Sequence, residues 1–130
     1  MLLGRAYDQI RNSICYPNLN VKICATHSGI TVGEDGATHQ MLEDISMMRT
    51  LPNMKVLSPA DDIETKWAIE EAYKQKGPVY VRLSRLATPI IYDENQKFEI
   101  GKAVQIGEGT AATVFATGVV VQEAIKAKEE

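Results

Sequence analysis

Short apolar segments alternate with amphipathic segments over residues 1–88, and this alternation most limits the fold of the chain. The apolar segments have the length of buried strands, whereas the amphipathic segments repeat apolar residues at helical spacing. Strands are predicted at 21–26, 54–58 and 79–83, and helices at 5–16, at 41–51 and from Asp61 to the turn at Gly77-Pro78. Strands separated by such helices join through right-handed crossovers. The predicted fold class is therefore α/β, a parallel β-sheet with flanking helices.

The remainder of the chain predicts a different organisation. Residues 89–102 read as a linker, and residues 103–130 as the beginning of a second α/β domain. Its strands are predicted at 103–106 and 112–117, followed by a helix from Gly118. The chain opens on a helix with no preceding strand, and its last strand–helix unit has no following strand. We therefore expect residues 1–88 to be an incomplete domain cut from a longer protein.

The composition is that of a soluble globular protein, with 45% apolar residues and a formal charge of −3. This charge argues against a basic face for nucleic acid. No apolar run approaches the roughly 20 residues of a membrane span, and the first residues do not resemble a signal peptide. Cys15 and Cys24 lack metal-ligand spacing. We expect two reduced, partly buried thiols in a cytoplasmic protein, with neither nucleic acid nor membrane as a partner.

The sequence also predicts which residues of these helices and strands cap a helix, face solvent or are buried. Asp61 and Glu64 are predicted to form a capping box at the start of the third helix. Arg82, inside the third strand, is expected on a solvated or interfacial side. The predicted buried faces are Leu42, Ile45 and Met48 in the second helix, and Ile63, Trp67, Ala68 and Ala72 in the third.

The segment between the first strand and the second helix concentrates ionisable residues and glycines. It reads ATHSGITVGEDGATHQ over residues 25–40. Its histidines and acids can exchange protons with a ligand, and its glycines permit backbone angles that other residues avoid. Ligands bind at the carboxyl ends of parallel strands, so this loop and the Ser84-Arg85 pair should open on the same rim. The sequence predicts a rim for a polar, phosphorylated ligand.

Four residues of this rim are candidates, and each has a structural alternative. His27 can hold an anionic or hydroxylated ligand, or bond to its own loop. Asp35 can accept a hydrogen bond from a ligand hydroxyl, although spacing alone favours a turn over 33–36. His39 lies near the start of a predicted helix, as an acid–base residue in the field of the helix dipole or as a capping residue. Arg85 can bind a phosphate through two hydrogen bonds or form a surface ion pair.

These residues lie in motifs that resemble one enzyme family. The segments ATHSGITVGEDGATHQ (25–40), LPNMKVLSPAD (51–61) and GPVYVRLSR (77–85) closely resemble the pyrimidine-binding domain of transketolase. The opening GRAYDQIRNSI is especially similar to the C-terminal subunit of split transketolases, in which the enzyme is made as two polypeptides. The resemblance spans nearly all of residues 4–118, and the part from about residue 97 resembles the start of the family's C-terminal domain.

The resemblance implies transfer of a two-carbon ketol unit between sugar phosphates, with thiamine diphosphate as the cofactor. It also implies a place in the pentose phosphate pathway. Matched position by position, His27 and Arg85 would bind the substrate phosphate, and Asp35 a sugar hydroxyl near the reacting carbons. His39 would be a catalytic residue beside the reacting centre.

The resemblance further implies what this chain does not carry. In the family, the glutamate that activates the cofactor and the aromatic residues that stack on its ring lie upstream of the first predicted helix. A separate N-terminal domain binds the diphosphate and a divalent metal ion. We therefore expect an N-terminal transketolase section or subunit as the partner, in a homo-oligomer or hetero-oligomer. We expect the isolated chain to be inactive. Ser28 and Ala37 replace an aspartate and a proline common in the family.

Three other interpretations stay open. Deoxyxylulose-phosphate synthase is the nearest enzymatic rival, although His27-Ser28-Gly29 and Glu34 count against it. The β subunit of oxo-acid dehydrogenases shares the fold and lacks the GEDG…H block. The third interpretation is a non-catalytic relative that acts as a binding subunit or is a remnant.

Overall fold

The computed structural model describes residues 2–129, which form a three-stranded parallel sheet covered by helices. The strands are β1 (Lys22–Ala25), β2 (Lys55–Leu57) and β3 (Val79–Arg82). The helices are α1 (Leu2–Arg5), α2 (Tyr7–Gln9), a π-helical segment (Ile10–Cys15), α3 (Asp44–Arg49), α4 (Asp62–Lys74) and α5 (Val121–Glu129), with 3₁₀ turns at Ile30–Val32 and Gly118–Val120. The predicted α/β class is confirmed.

β3 lies at the centre of the sheet, in the order β1-β3-β2, and both pairings are parallel. Successive residues of a strand face opposite sides of the sheet, so β3 contributes to two cores. Val79 and Val81 pack against Ala68 and Ala72 of α4. The opposite core surrounds Tyr80 and contains Leu3, Ile10, Cys15, Ile23, Met41, Met48 and Leu51. The central strand is therefore buried on both faces.

The first predicted helix is present, but its second half has π-helical geometry. There the hydrogen bonds span five residues, as from the Tyr16 N–H to the Arg11 carbonyl at 2.9 Å. The wider turn brings residues five apart to the same face. Ile10 and Cys15 are accordingly both buried against the sheet.

α4 begins where the sequence predicted. The Asp61 carboxylate accepts a hydrogen bond from the Glu64 N–H at 2.8 Å, which confirms the N-cap. The Glu64 carboxylate reaches back to the Ala60 N–H at 2.7 Å, so the box closes one residue earlier than the standard pattern. Ala68 and Ala72, from the predicted apolar stripe, are buried.

The segment after β3 packs against α4. The second carboxylate oxygen of Asp61 accepts hydrogen bonds from the N–H groups of Ile91 and Tyr92, at 2.8 and 2.9 Å. The Phe98 ring lies 5.0 Å from that of Tyr92 and 5.3 Å from that of Trp67 in α4. The buried carboxylate of Asp61 therefore holds together the start of α4 and the segment predicted as a linker.

The prediction of strands at 103–106 and 112–117 is wrong. Neither segment pairs with a strand, and in the second the Phe115 side chain is 86% exposed. A strand needs a neighbour for its backbone N–H and C=O groups, and residues 2–129 place none beside these segments. The end of the second segment is attached to the domain by Ser58, whose carbonyl accepts hydrogen bonds from the Gly118 N–H at 3.1 Å and the Thr117 hydroxyl at 3.0 Å.

The helix predicted from Gly118 is present as a 3₁₀ turn followed by α5. Its expected last residue, 130, lies outside the described residues.

Smaller differences concern α3 and the cysteines. α3 begins at Asp44 rather than near residue 41, so Met48 is buried but Leu42 is exposed. Both thiols are free, and Cys15 is buried whereas Cys24 is exposed, contrary to the expectation for Cys24. Desolvation raises the pKa of both thiols and favours their protonated form. Across residues 2–129 no helix has the length and apolarity needed to cross a membrane.

We expect Asp61→Ala to lower the free energy of unfolding by about 2–4 kcal/mol, because it removes an N-cap and two further hydrogen bonds to a buried carboxylate. Urea unfolding followed by the fluorescence of the single tryptophan, Trp67, measures the loss. Asp62→Ala is the matched control, since Asp62 is exposed in the first turn of the same helix. Equal losses in the two variants would contradict this role of Asp61.

Candidate functional site

The loop between β1 and α3 is closed at its base. Gly29 and Met41 form an isolated antiparallel bridge, in which the Gly29 N–H donates to the Met41 carbonyl at 3.0 Å. Ser28 donates to the carbonyl of Leu83 from its N–H at 3.2 Å and from its hydroxyl at 2.9 Å. Leu83 directly follows β3. The base of the loop is therefore attached to the carboxyl end of the central strand.

The structure brings His27, Asp35 and Arg85 to one edge of the sheet. β1 and β3 are adjacent and parallel, with Ala25 beside Arg82, so the residues after both strands emerge at the same edge. His27 follows β1, and Arg85 follows β3. The loop then carries Asp35 to 3.6 Å from the Arg85 guanidinium.

Arg85 contacts the loop through one hydrogen bond and one exposed ion pair. Its Nη1 donates to the Val32 carbonyl and faces Asp35. A Cβ on Gly33 would lie 3.5 Å from the same nitrogen, at ordinary contact distance, so Gly33 lies next to the guanidinium. The Arg85 and Asp35 side chains are 41% and 51% exposed. An ion pair this exposed contributes at most about 1 kcal/mol, and an anionic ligand can displace it at small cost.

Asp35 lies in the turn that spacing favoured. The Gly36 N–H donates to the Gly33 carbonyl at 3.1 Å, and both glycines have positive φ, 70° and 81°. The turn is thus confirmed. It also directs the Asp35 carboxylate toward Arg85, so the turn and a ligand role for Asp35 are compatible.

The two histidines have equivalent local settings. Nδ1 of His27 lies 2.9 Å from the Thr26 hydroxyl, and Nδ1 of His39 lies 3.0 Å from the Thr38 hydroxyl. Both histidines are exposed. An imidazole bonded through Nδ1 can present Nε2 to a ligand, as donor or acceptor according to its tautomer. Bonding to a neighbour in the loop therefore leaves each ring one nitrogen for a ligand.

The position of His39 differs from the sequence prediction. α3 begins at Asp44, and the His39 N–H donates to the Gly36 carbonyl at 3.0 Å within a turn. A helix dipole acts on groups at the first turn, and His39 lies before that turn. The capping interpretation and the dipole argument are therefore wrong. The acid–base role of His39 stays a prediction.

A polar network that the sequence did not predict lies below the loop. Asp44 Oδ2 accepts hydrogen bonds from the Tyr80 hydroxyl at 2.7 Å and from Arg82 Nε at 2.6 Å. The Arg82 side chain is 16% exposed, so the expected solvated position is wrong, whereas the alternative interfacial position stays a prediction. Burial, and then the bond to Asp44, raise the pKa of Tyr80, which donates as a neutral hydroxyl. The spacing of Tyr80 and Arg82 on one strand face was a signal, but nothing local indicated Asp44 as their partner.

A cavity of about 240 Å³ lies beside His27. It is lined by two leucines of α1, by residues 24–28 and by Met41, Asp44 and Tyr80. A groove of about 380 Å³ near β2 is larger, but none of the four predicted site residues lines it. Within residues 2–129, no three His, Cys, Asp or Glu side chains are grouped to hold a metal ion. We therefore place the candidate site at the rim and cavity that His27 joins.

Comparison with known proteins identifies the class of domain. Residues 1–90 match the transketolase pyrimidine-binding domain. A solved split-gene transketolase, described as an inactive beta4 tetramer, superposes with a TM-score of 0.88 at 44% sequence identity. That match covers 97% of this chain and 40% of the other. The fold is therefore that of a pyrimidine-binding α/β domain.

Comparison with proteins of similar sequence gives the same family. A protein named as a transketolase C-terminal section from Methanocaldococcus jannaschii is 54% identical over 128 residues, or 97% of this chain and 40% of that protein. Human transketolase is 37% identical over 127 residues, or 96% of this chain and 20% of the enzyme. The chain belongs to the transketolase family. It spans between a fifth and two fifths of the length of these relatives.

We expect Gly29→Ala to lower the free energy of unfolding by about 1–3 kcal/mol, the cost of a strained backbone position. Gly29 has φ 75° and ψ −163°, and a Cβ there would lie 3.2 Å from Arg82 Nη2. Thermal and urea unfolding measure the loss. Gly109→Ala is the control, because a Cβ at Gly109 meets nothing within 4 Å. A Gly29→Ala protein as stable as the control would show that the loop base tolerates a side chain.

Proposed function

We propose that this chain forms the substrate-binding part of a transketolase, which transfers a two-carbon ketol unit between sugar phosphates. The observation that carries the proposal is the Arg85–Asp35 pair at the rim that also holds His27. Guanidinium, carboxylate and imidazole groups on one exposed rim complement the phosphate and hydroxyl groups of a sugar phosphate. Membership of the transketolase family supports this assignment.

His27 and Arg85 bind the phosphate. The Arg85 guanidinium has a planar set of donors that matches two phosphate oxygens. The Val32 carbonyl holds one of its nitrogens and thereby orients the group. The exposed Asp35 yields its place to the phosphate, while His27 donates from its free ring nitrogen.

Asp35 and His39 act on the sugar. Once the phosphate occupies Arg85, the Asp35 carboxylate can accept a hydrogen bond from a sugar hydroxyl. His39 is exposed on the same loop, with Nδ1 bonded to Thr38. Its second ring nitrogen holds or moves a proton at a reacting oxygen of the substrate, as general acid–base catalysis requires.

Thiamine diphosphate is the cofactor that family membership indicates, and when bound it supplies the nucleophilic carbon for the ketose carbonyl. The donors of this rim suit a sugar phosphate. They do not form the oxygen-rich ligand set that a divalent ion requires, and no three metal ligands are grouped anywhere in the described chain. We therefore assign the diphosphate and its metal ion to an N-terminal section or subunit.

The active species is an oligomer that contains an N-terminal transketolase section or subunit. The similar split-gene transketolase is described as inactive in its beta4 form, which supports the need for a second kind of subunit. The free thiols Cys15 and Cys24 suit a reducing compartment. We place the protein in the cytoplasm and in carbohydrate metabolism.

We expect ketol transfer between phosphorylated sugars when this chain is mixed with an N-terminal transketolase section, and none from either alone. A coupled assay of the aldose phosphate released measures transfer, and size-exclusion chromatography checks assembly. Calorimetry should detect micromolar binding of thiamine diphosphate with Mg²⁺ to the mixture and not to the chain alone. An assembled mixture with no transfer would favour the non-catalytic binding subunit instead.

We expect Arg85→Ala, in the active mixture, to raise KM for phosphorylated sugars about tenfold or more, since a charge-assisted hydrogen bond contributes about 1.5–3 kcal/mol. KM for the unphosphorylated sugars should change little. Arg11→Ala is the matched control, because Arg11 is exposed in the π-helical segment and does not line the cavity beside His27. An equal effect of Arg85→Ala on both kinds of sugar would exclude its phosphate role.

A further inference from the structure

We propose that Asp44, Tyr80 and Arg82 are positioning residues that hold the loop of residues 29–41 in the geometry required by the substrate. The inference rests on the proposed function, since it concerns the same rim. Asp44 and Tyr80 line the cavity beside His27, but none of the three is proposed to contact the reacting atoms. They act through the backbone that carries Asp35, His39 and Arg85.

The network joins three parts of the backbone around the rim. Asp44 is the first residue of α3 and lies three positions after Met41, the last residue of the loop. Arg82 is the last residue of β3, the strand that leads to Arg85. The Arg82 Nη2 also lies against Gly29, where a Cβ would be 3.2 Å away. The buried Asp44 carboxylate thus links the start of α3 to the end of β3, and the Arg82 side chain that it binds lies beside Gly29 at the start of the loop.

The bonds to Asp44 fix an orientation as well as a distance. The Tyr80 hydroxyl and Arg82 Nε both donate to Oδ2, and Arg82 Nη2 donates to Oδ1 at 3.3 Å. A guanidinium bound to both oxygens of a carboxylate has a defined plane. Any shift of α3 along β3 therefore breaks at least one of these bonds.

Stability alone does not account for such a network. Apolar residues of similar volume often stabilise a core as well as a buried ion pair does, or better. An ion pair differs from them in specifying one relative position of its two elements. Precision has a large effect at this rim, because misplacing a substrate-binding group by 1 Å can slow catalysis about a hundredfold.

The test replaces the network with apolar residues in the full chain, as the triple variant Asp44→Leu/Tyr80→Phe/Arg82→Met. Amide hydrogen exchange by NMR follows Ser28 and Gly29, which donate to the carbonyls of Leu83 and Met41. We expect both amides to exchange about tenfold faster or more, because the loop base opens locally. The Thr65 amide, bonded to the Asp61 carbonyl in α4, should exchange as in the wild type.

Glu99→Gln is the matched control, since it removes an exposed ion pair with Lys102, at 2.8 Å, away from the loop. Unchanged exchange at Ser28 and Gly29 in the triple variant would overturn the proposal. If the triple variant does not fold, Tyr80→Phe decides, because it removes one hydrogen bond without opening a large cavity. It should speed exchange at Gly29 about threefold, and no change there would equally overturn the proposal.

Kinetics separate this inference from the proposed function. In the complex with an N-terminal section, the triple variant should raise KM for phosphorylated sugars about tenfold and also lower kcat, while its Tm stays near that of the wild type. Wild-type kinetics in a complex with the triple variant would overturn the positioning role. A wild-type complex without any activity would reject the proposed function, and the exchange rates of the chain alone would still decide the role of the network.

Discussion

The pairing of β3 with a parallel strand on each side is the constraint on which the rest of the structure depends. Because of this pairing, β3 packs into a hydrophobic core on each face of the sheet. Tyr80 lies in one core, and Val79 and Val81 lie in the other. Because all three strands run the same way, the chain leaves β1 and β3 at the same edge. The Leu83 carbonyl, just beyond β3, accepts both hydrogen bonds from Ser28. The loop of the candidate site is therefore attached to the central strand.

Two ion pairs with opposite properties lie on this edge. The Arg85–Asp35 pair is about half exposed and has a separation of 3.6 Å, so water screens it and a ligand can replace it. The Arg82–Asp44 pair is largely buried at 2.6 Å, and loss of either partner would leave an uncompensated charge in the core. The exposed pair suits exchange with a substrate, whereas the buried pair suits a fixed support. The two arginines are three positions apart in sequence, and the difference in burial accounts for the different properties of the two pairs.

Patterns over short stretches of the sequence predicted most of the helices and strands. Three strands and the Asp61 cap follow from apolar runs and from a carboxylate placed where backbone N–H groups are free. The segments 103–106 and 112–117 have the same apolar character but form no strand, because a strand requires a partner that its own residues do not specify. For the site, the residues themselves predicted a polar rim. The particular roles of His27, Asp35, His39 and Arg85 came from the resemblance to transketolase and stay predictions.

The amino-acid sequence by itself determined the α/β class, the edge at which the loop opens and the family to which the chain belongs. Each of these depends on periodicity or on a contiguous motif, which residues near one another in the chain define. The tertiary structure alone decided that Arg82 is largely buried, that Asp44 is its partner and that His39 lies ahead of the helix. These facts depend on where segments distant in sequence meet, and charge–charge contacts across 38 positions leave no periodic trace in the chain.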